Sequence, residues 1–423
     1  MARFRPFRGV RFSPDAIGTF DGVVAPPYDV ISAEARDELY EASPYNVTRL
    51  ILNVEGHAAA GRTYREWRRR GVLVREESPA FYLYRQDFDR EGQKSRVGVV
   101  GAMYLEPFST GVVRPHEQTF AHHKKDRLEL TAQVEANLSP IFGLYSNPEF
   151  DPRPDSGWEE APAIDVLHDG IRNRMWPVRK RERIEEITEA VAGRTVFIAD
   201  GHHRYETALN YYAERNPSLP LAAEGGPTDD EAPTAHVMAF LARFEDPGML
   251  ILPTHRELIS SHGAIHDQLV EALSREFDVQ PIERSAAGRQ RLLALLAESN
   301  GSVNAFGVAL RDASSYLFLS KKVADGKESS LVAKVDVAVL HTTILERLVP
   351  SAGGRDVKLE YSSSASAVLD RVDHGMIEGA FLLRPMRAEQ MAEVCMAGEL
   401  LPHKTTYFYP KLLTGLVFHS LAG

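Results

Sequence analysis

The sequence contains one cysteine in 423 residues, so no internal disulfide can form and a reducing compartment fits best. That residue, Cys395, stands in an apolar, helix-like segment, which predicts a small buried side chain. The chain also lacks any apolar run near the ~18 residues of a membrane helix. Its first residues, MARFRPFRGV, lack the apolar core of a secretory signal. We therefore expect a cytoplasmic protein without a membrane segment.

Basic residues are fewer than acidic ones, 49 against 59, which gives a formal net charge of −10. Nucleic-acid binders usually carry a basic domain, so nucleic acid is not an expected partner. A local basic pocket for a small anion remains compatible with this charge. The sequence also lacks a Walker A motif, a GxSxG motif and a strand-linked GxGxxG. A bound nucleotide would therefore be held by another kind of site.

The composition, with 43% hydrophobic and 26% charged residues, is that of a globular protein, and the length allows two or three domains. Alternating apolar segments at 80–88 and 96–108 predict a hairpin. Helical and strand patterns are interspersed along the chain, which predicts an α+β fold. We expect an N-terminal segment (1–80) packed on a mixed-sheet core (81–261), followed by a C-terminal α/β domain (262–423).

Several element boundaries are also predicted by local signals. Ser32 precedes an acidic first turn and predicts a helix start. Residues 58–70 and 181–192 have helical patterns, whereas 147–163 and 217–234 are rich in proline and acidic residues and predict surface loops.

The segment Thr195–Leu209, TVFIADGHHRYETAL, carries the strongest functional signal. Its β-branched and aromatic start predicts a buried strand that ends at Asp200. Gly201 permits a left-handed turn or a close approach of the backbone to a ligand. A helix then begins near His202, and a helix N-terminus attracts anions. Because the guanidinium of Arg204 matches phosphate geometry, this turn predicts a phosphate-binding site.

Roles follow for the polar side chains of this turn. Asp200 would hold Mg²⁺ or orient a substrate hydroxyl, and His202 or His203 would protonate a leaving oxygen, since histidine titrates near neutral pH. The alternative is structural: Asp200 and His202 cap the helix while Arg204 pairs with an acid. We favour the functional interpretation because two histidines and an arginine are costly in a purely structural turn.

A second polar cluster lies in HEQTFAHHKKDRLEL. Its candidate metal ligands are His116, Glu117, His122 and His123. Phe120 stands where an HExxH zinc helix would need histidine, and no ligand spacing here is diagnostic of a metal. We expect Glu117 to act as a general base or Mg²⁺ ligand, with His116 and Arg127 contacting the ligand. The alternative is a solvated loop followed by a helix with an exposed Asp126–Arg127 face.

Three further segments carry weaker signals. In APPYDV, two prolines present Asp29 rigidly, although the same residues also make an ordinary turn. In ILPTHRE, His255 and Arg256 follow an apolar strand, where open α/β sheets bind ligands. In HKTTYFYPK, Lys404 and Lys411 either reach a phosphate or lie over packed aromatic rings, and we favour the packing role.

These segments, together with LSPIFGLY and LPHKTTYFYPKLLTGLVF, resemble in the same order those of an uncharacterised bacterial and archaeal family, the domain-of-unknown-function family numbered ten-fifteen. The resemblance covers nearly the whole chain and is most specific at ADGHHRYETA. It implies membership of the family but no particular activity.

More remotely, Gly201–Tyr205 is similar to the phosphate box of the ParB/sulfiredoxin superfamily, which implies a small α+β core that binds nucleotide phosphates. Sulfiredoxins have cysteine after the box glycine, where this chain has His202, so their chemistry is excluded. ParB proteins continue into a basic helix-turn-helix, which this sequence lacks. The ADP-dependent serine kinase branch resembles this chain in the acid before the glycine, Asp200. That branch has a separate catalytic carboxylate, for which Glu117 is the first candidate and Asp29 the second.

The sequence therefore predicts a phosphotransferase or phosphohydrolase for a small phosphorylated metabolite or nucleotide, including a serine-kinase-like reaction. Mg²⁺ and ADP or ATP are the expected cofactors. The alternative is a ParB-type nucleotide-binding clamp without catalysis on a metabolite. The oligomeric state is left open.

Overall fold

The structure, a computed structural model, describes residues 2–90, 92–117, 121–154, 161–218, 232–259, 266–299, 303–311, 313–322, 330–351 and 357–422. Helices and strands alternate irregularly, so the protein is a mixed α+β structure, as expected. No helix in these ranges is both long and apolar enough to cross a membrane. Cys395 is buried, as predicted.

The strands are, in chain order, β1 (Phe4–Arg5), β2 (Val10–Phe12), β3 (Leu73–Arg75), β4 (Phe81–Asp89), β5 (Gln93–Tyr104), β6 (Val113–Arg114), β7 (Ala136–Asn137), β8 (Ile141–Tyr145), β9 (Ile164–His168), β10 (Ile171–Val178), β11 (Val196–Asp200), β12 (His236–Arg243), β13 (Leu250–Leu252), β14 (His255–Ile259), β15 (Asp278–Glu283), β16 (Val303–Leu310), β17 (Ser315–Lys322), β18 (Lys358–Ser362), β19 (Gly379–Leu382), β20 (Tyr407–Tyr409) and β21 (His419–Ser420).

The α-helices are α1 (Pro14–Ile17), α2 (Ala33–Ala42), α3 (Thr48–Ile51), α4 (His57–Arg69), α5 (Ala121–Val134), α6 (Arg181–Val191), α7 (His202–Arg215), α8 (His266–Glu276), α9 (Ala286–Glu298), α10 (Asp336–Val339), α11 (Val349–Ser351), α12 (Ala365–Asp373) and α13 (Ala388–Met396). Short 3-10 turns lie at Tyr28–Val30, Phe108–Thr110, Pro233–Ala235 and Val332–Lys334, and a π-helix spans Leu340–Leu348.

The chain divides into two compact units. The first contains residues 1–115, 119–250 and 408–423; the second contains 116–118 and 251–407. The sequence predicts residues 1–80 on the core and residues 408–423 in a C-terminal domain. The N-terminal segment and the last sixteen residues fall in the first unit, since both contribute to its sheets.

The first unit is built on a mixed sheet, in which nine strands of the described residues take part. Its strand order is β6-β11-β8-β12-β5-β4-β10-β9, and β1 pairs with β5. The β6–β11 and β8–β12 pairs are parallel, whereas the other neighbours are antiparallel. β11 therefore lies inside the sheet between β6 and β8, and its last residue, Asp200, pairs with Phe142 of β8.

Local sequence signals explain several elements of this unit. β4 and β5 form the predicted hairpin, and the Ser32 hydroxyl accepts a hydrogen bond from the Ala35 N–H at the start of α2. The hairpin of β9 and β10 has no counterpart in the sequence-based prediction. Leu167 is apolar but exposed, so apolar and polar residues do not alternate regularly in this segment.

The second unit contains a six-stranded sheet in the part that is described, with the order β15-β17-β16-β19-β14-β18. Every described pair in it is antiparallel. The expected C-terminal α/β domain, with its implied parallel strands, is therefore wrong. The physical reason is the connectivity: β16 leads directly into β17 through a short hairpin, which joins antiparallel neighbours.

Candidate functional site

The junction of β11 and α7 is held by a left-handed glycine. Gly201 has φ 92° and ψ 29°, and it forms the N-cap of α7. A Cβ atom at this position would lie 3.0 Å from the guanidinium of Arg204 and would meet a backbone conformation that side chains disfavour. The left-handed turn predicted at Gly201 is confirmed, and the missing side chain lets Arg204 lie close against it.

Asp200 binds two cations. Its Oδ2 accepts a hydrogen bond from Arg204 Nη2 at 2.6 Å, and its Oδ1 pairs with Lys411 Nζ. These side chains are only 14–17% exposed, so solvent screens the charges weakly. Burial acts to raise the pKa of Asp200, but Lys411 and Arg204 outweigh it, and the pKa lies below its usual value. The carboxylate is thus ionised, and the three charges sum to one positive charge.

Lys411 is presented by a segment that a buried arginine fixes. Arg96 is fully buried and donates to the carbonyl oxygens of Tyr409, at 3.2 Å, and of Pro410. The guanidinium also lies over the ring of Phe142, 4.8 Å from its centroid. Gln86 adds a hydrogen bond to the Lys411 carbonyl at 3.0 Å. These contacts to the backbone of residues 409–411 therefore hold Lys411 where its ammonium group reaches Asp200.

A cleft of about 60 Å³ lies beside this junction. Its lining residues are Tyr28, Ile51, Arg127, Leu130, Thr131, Ala136, Asn137, Leu138, Ser139, Arg204, Thr207, Ala208 and Val237. It therefore combines apolar walls with hydroxyl and guanidinium groups, which suits a small polar ligand group.

Thr207 contributes an unsatisfied hydroxyl to this cleft. It is 3% exposed, and its Oγ1 has no hydrogen-bond partner among the described residues. A buried polar atom without a partner is costly, so such atoms often mark a place where a ligand or water binds. The hydroxyl lies one helical turn after Arg204, on the same side of α7, because residues three apart share a helix face.

The N-terminal motif contributes Tyr28 rather than Asp29 to the cleft. Arg127 lies over the Tyr28 ring, 4.2 Å from its centroid, and it donates to the Ile51 carbonyl at 3.0 Å. Burial, followed by the Asp29 charge, raises the pKa of Tyr28. Asp29 itself is exposed. Arg127 also pairs with its neighbour Asp126, so that its charge is partly neutralised.

The two histidines of the motif occupy the first turn of α7. His202 is buried, and its proximity contributes to the lowered pKa of Asp200. His203 is half-buried. Tyr205 anchors the same turn: its hydroxyl donates to the Glu106 carbonyl at 2.8 Å and accepts from the Glu106 N–H at 2.9 Å.

His116 and Glu117 belong to the second unit. His116 is buried, and its Nε2 lies 2.8 Å from the hydroxyl of Thr406. Glu117 Oε2 accepts a hydrogen bond from the Lys404 backbone N–H at 3.1 Å and lies 3.8 Å from His403 Nδ1. The side chains of His122 and His123 lie outside the described part of the chain.

His255 and Arg256 lie within β14, in the interior of an antiparallel sheet. They follow the apolar strand β13, as expected, but they begin a further strand of an antiparallel sheet, and their contact with a ligand stays a prediction. Consecutive strand residues point to opposite faces, so the two side chains do not converge. His255 Nδ1 accepts from the Leu383 N–H at 3.1 Å, and burial lowers its pKa to about 4.

The described residues do not fit a protein-held Mg²⁺. Both oxygens of Asp200 already bind cations, and no cluster of three or more potential ligands occurs in the described ranges. A metal at Asp200 would have to displace Lys411 or Arg204.

Three residues of the site were missed or given a lesser role by the sequence-based analysis. Lys411 was expected to pack over aromatic rings, Arg96 lies in an apolar strand segment, and Thr207 lies on the buried face of a helix. Only Lys411 had a sequence signal, the basic and aromatic HKTTYFYPK segment.

Comparison with known families gives a clear result. A family model described as "Protein of unknown function (DUF1015)" matches residues 4–338, which is most of the chain. The chain belongs to the DUF1015 family. The search of curated proteins yielded no match.

Solved structures with similar features include a conserved hypothetical protein from Pyrococcus furiosus, with 13% identity and a TM-score of 0.37, covering 74% of this chain and 92% of that one. A free serine kinase in complex with AMP has 13% identity and a TM-score of 0.36, covering 74% and 86%. SbnI from Staphylococcus aureus, with a C-terminal truncation, has 8% identity and a TM-score of 0.35, covering 74% and 85%. At these TM-scores the likeness does not define a shared fold, so the site is interpreted from its own geometry.

Proposed function

We propose that this protein is a phosphotransferase or phosphohydrolase for a small phosphorylated metabolite or nucleotide, and that the β11–α7 junction binds the phosphate. One observation carries the proposal: Asp200 holds Arg204 and Lys411 together at the start of α7, beside a cleft that contains the unsatisfied Thr207 hydroxyl. A helix N-terminus adds partial positive charge at the same place.

The proposed binding mode follows from the charges. Arg204 and Lys411 carry two positive charges against the single negative charge of Asp200, so a phosphate entering the cleft would be attracted. The Thr207 hydroxyl would donate to a phosphate oxygen and thereby satisfy its own hydrogen-bonding capacity. In this arrangement Asp200 positions the two cations and does not itself contact the phosphate.

Roles in catalysis are assigned as part of the same proposal. Phosphoryl transfer depends mainly on positioning and charge neutralisation, which the paired cations would supply. His203, half-buried in the first turn of α7, would donate a proton to the leaving oxygen, and His202 would support Asp200. A kinase reaction such as serine phosphorylation, with ADP or ATP as donor, is the first form of the proposal, and the role of Glu117 as general base stays a prediction from the sequence. A protein-held Mg²⁺ is not part of the proposal.

The arrangement of β11, the Gly201 turn and α7 also supports a finer fold proposal, a ParB/sulfiredoxin-like core for the first unit. Its support is the strand–Asp–Gly–His–His–Arg–helix order, with the glycine left-handed at the helix start.

A thermal-shift screen tests the function. The purified protein is screened against nucleotides, phosphorylated metabolites and inorganic phosphate, beside the variants Arg204→Ala and Arg215→Ala. Arg215 is the matched control: it lies in the last turn of the same helix and pairs with Glu135 at 2.8 Å. A ligand at 100 times its dissociation constant stabilises the folded protein by about 2.7 kcal/mol.

We expect a stabilising ligand whose effect is lost in Arg204→Ala and kept in Arg215→Ala. Turnover of that ligand would then establish an enzyme, whereas binding without turnover would favour the nucleotide-binding clamp. A screen in which no phosphate compound stabilises the protein, or in which both variants behave alike, would contradict the proposal.

A further inference from the structure

The second unit contains two cations on one aromatic ring. Arg256 lies over the ring of Tyr361, 5.4 Å from its centroid, and Lys404 Nζ lies 4.8 Å from the same centroid. Neither cation has a carboxylate within ion-pairing distance among the described residues. Two like charges beside one ring repel each other, and the ring alone offsets only part of that cost.

Arg256 is the buried member of this pair. It is 0% exposed, and its Nε has no hydrogen-bond partner in the part of the chain that the structure describes. Its Nη2 donates to the Lys404 carbonyl at 3.1 Å and lies 3.3 Å from His341 Nε2. A buried guanidinium without an anion is unusual, since buried charges are normally paired. Burial lowers its pKa to about 10, which leaves it charged at neutral pH.

Lys404 is the exposed member, and its backbone is fixed in an uncommon conformation. Its φ is 54°, a left-handed value that lysine rarely adopts. Glu117 Oε2 accepts from its N–H, and Arg256 donates to its carbonyl, so both sides of the residue are held. Such fixed, unfavourable conformations occur preferentially at ligand-binding positions.

His341 completes the cluster from an irregular helix. It is the second residue of the π-helix Leu340–Leu348, and π-helical segments are frequent at functional sites. Because a guanidinium can only donate, His341 Nε2 accepts from Arg256, and Nδ1 carries the proton of the neutral ring. The side chain is half-buried, so a ligand can reach it.

We propose that Lys404, His341 and Tyr361 form an oxyanion-binding site in the second unit, which takes a carboxylate or phosphate group of a small molecule. Lys404 and His341 contact the anion, and Tyr361 forms the wall of the site. Arg256 is a positioning residue: it holds the Lys404 carbonyl and the His341 ring, and its charge strengthens the attraction without direct contact. This site shares no residue with the β11–α7 junction.

Acetylation footprinting tests the proposal on the full chain. The protein is treated with an amine-acetylating reagent without added anion, with saturating inorganic phosphate, or with saturating succinate, and modified lysines are quantified by peptide mass spectrometry. Lys358 is the internal control, because it lies on β18 with Tyr361 and its side chain is 75% exposed. We expect phosphate or succinate to protect Lys404 and to leave Lys358 unprotected, and the protecting anion identifies the ligand class.

Calorimetry with two matched variants provides the second measurement. Lys404→Asn removes the charge while keeping a residue that tolerates the left-handed backbone, and Lys358→Asn is its control. Loss of one charged contact is expected to raise the dissociation constant of the protecting anion about tenfold in Lys404→Asn only. The Arg204→Ala variant should still show Lys404 protection, which separates this site from the proposed phosphate site.

The proposal would be overturned if Lys404 were acetylated equally with and without either anion. It would also be overturned if Lys404→Asn and Lys358→Asn bound the anion with equal affinity. Protection that disappears in Arg204→Ala would also overturn it, because the anion would then bind at the β11–α7 junction instead.

Discussion

Replacement of Thr207 by valine separates the stability of the first unit from its ligand binding. Valine has nearly the same shape as threonine but no hydroxyl. Because the Thr207 Oγ1 is buried without a partner, the folded protein bears its desolvation cost, roughly 1–3 kcal/mol for such a group. Thr207→Val should remove most of this cost, and we expect a gain in stability of about 1 kcal/mol.

The same substitution should weaken ligand binding. If the hydroxyl donates to a phosphate oxygen, its loss removes a hydrogen bond to a charged group, worth about 1.5–3 kcal/mol. The dissociation constant of a phosphate ligand should then rise roughly 10- to 100-fold. Higher stability together with weaker ligand binding is expected only for a polar atom whose hydrogen-bond partner is the ligand.

Thr188→Val is the matched control. Thr188 lies in α6, and its hydroxyl already donates to the Ile184 carbonyl at 2.8 Å. Its replacement should be neutral or slightly destabilising and should not affect ligand affinity. Urea unfolding of the free proteins and calorimetry with the ligand give both quantities. A Thr207→Val protein that is less stable than the parent and binds the ligand equally well would refute the reasoning.

Three further predictions concern backbone strain, acid stability and catalysis. Gly201→Ala places a Cβ in a left-handed turn and against a guanidinium, so we expect a loss of about 1–2 kcal/mol in urea unfolding and weaker phosphate binding; unchanged stability would contradict it. Burial lowers the pKa of His236 to about 3 and of His419 to about 4. Below pH 6.5 the unfolded chain therefore takes up protons that the folded chain does not, and stability should fall by about 1.4 kcal/mol per pH unit for each histidine. The loss of stability should continue down to about pH 4. Urea unfolding midpoints that stay constant between pH 7 and 5 would contradict this prediction. Glu117→Gln keeps an oxygen that can accept the same backbone hydrogen bond, so nucleotide binding should persist while kinase turnover is lost; full turnover would remove Glu117 from the role of base.

The sequence was most informative where local chemistry dominates. The strand that ends at Asp200, the left-handed Gly201 and the helix that follows were all predictable, because each depends on residues within one short segment. The Ser32 cap and the β4–β5 hairpin were predictable for the same reason.

Long-range contacts were not predictable from one sequence. The pairing of Lys411 with Asp200 joins residues 211 positions apart, and Arg96 reaches Pro410 across 314 positions. No local pattern encodes such contacts. The antiparallel pairing in the expected C-terminal α/β domain was not predictable for the same reason, because strand order depends on connections that alternating helix and strand patterns do not determine.

The structure bears on both interpretations of the turn at residues 201–204, the phosphate site and the structural ion pair. Arg204 does pair with an acid, as the structural alternative required, yet the same pairing places it beside Lys411 and the cleft. An ion pair and a phosphate site are therefore compatible, since Asp200, Arg204 and Lys411 together retain one positive charge.

The most direct test of the central claim is a crystal structure of the protein grown with saturating ADP or inorganic phosphate. The account predicts a phosphate group at the start of α7, within hydrogen-bonding distance of the Arg204 guanidinium and the Thr207 hydroxyl. An empty junction at saturating ligand, with the phosphate bound elsewhere or not at all, would contradict it.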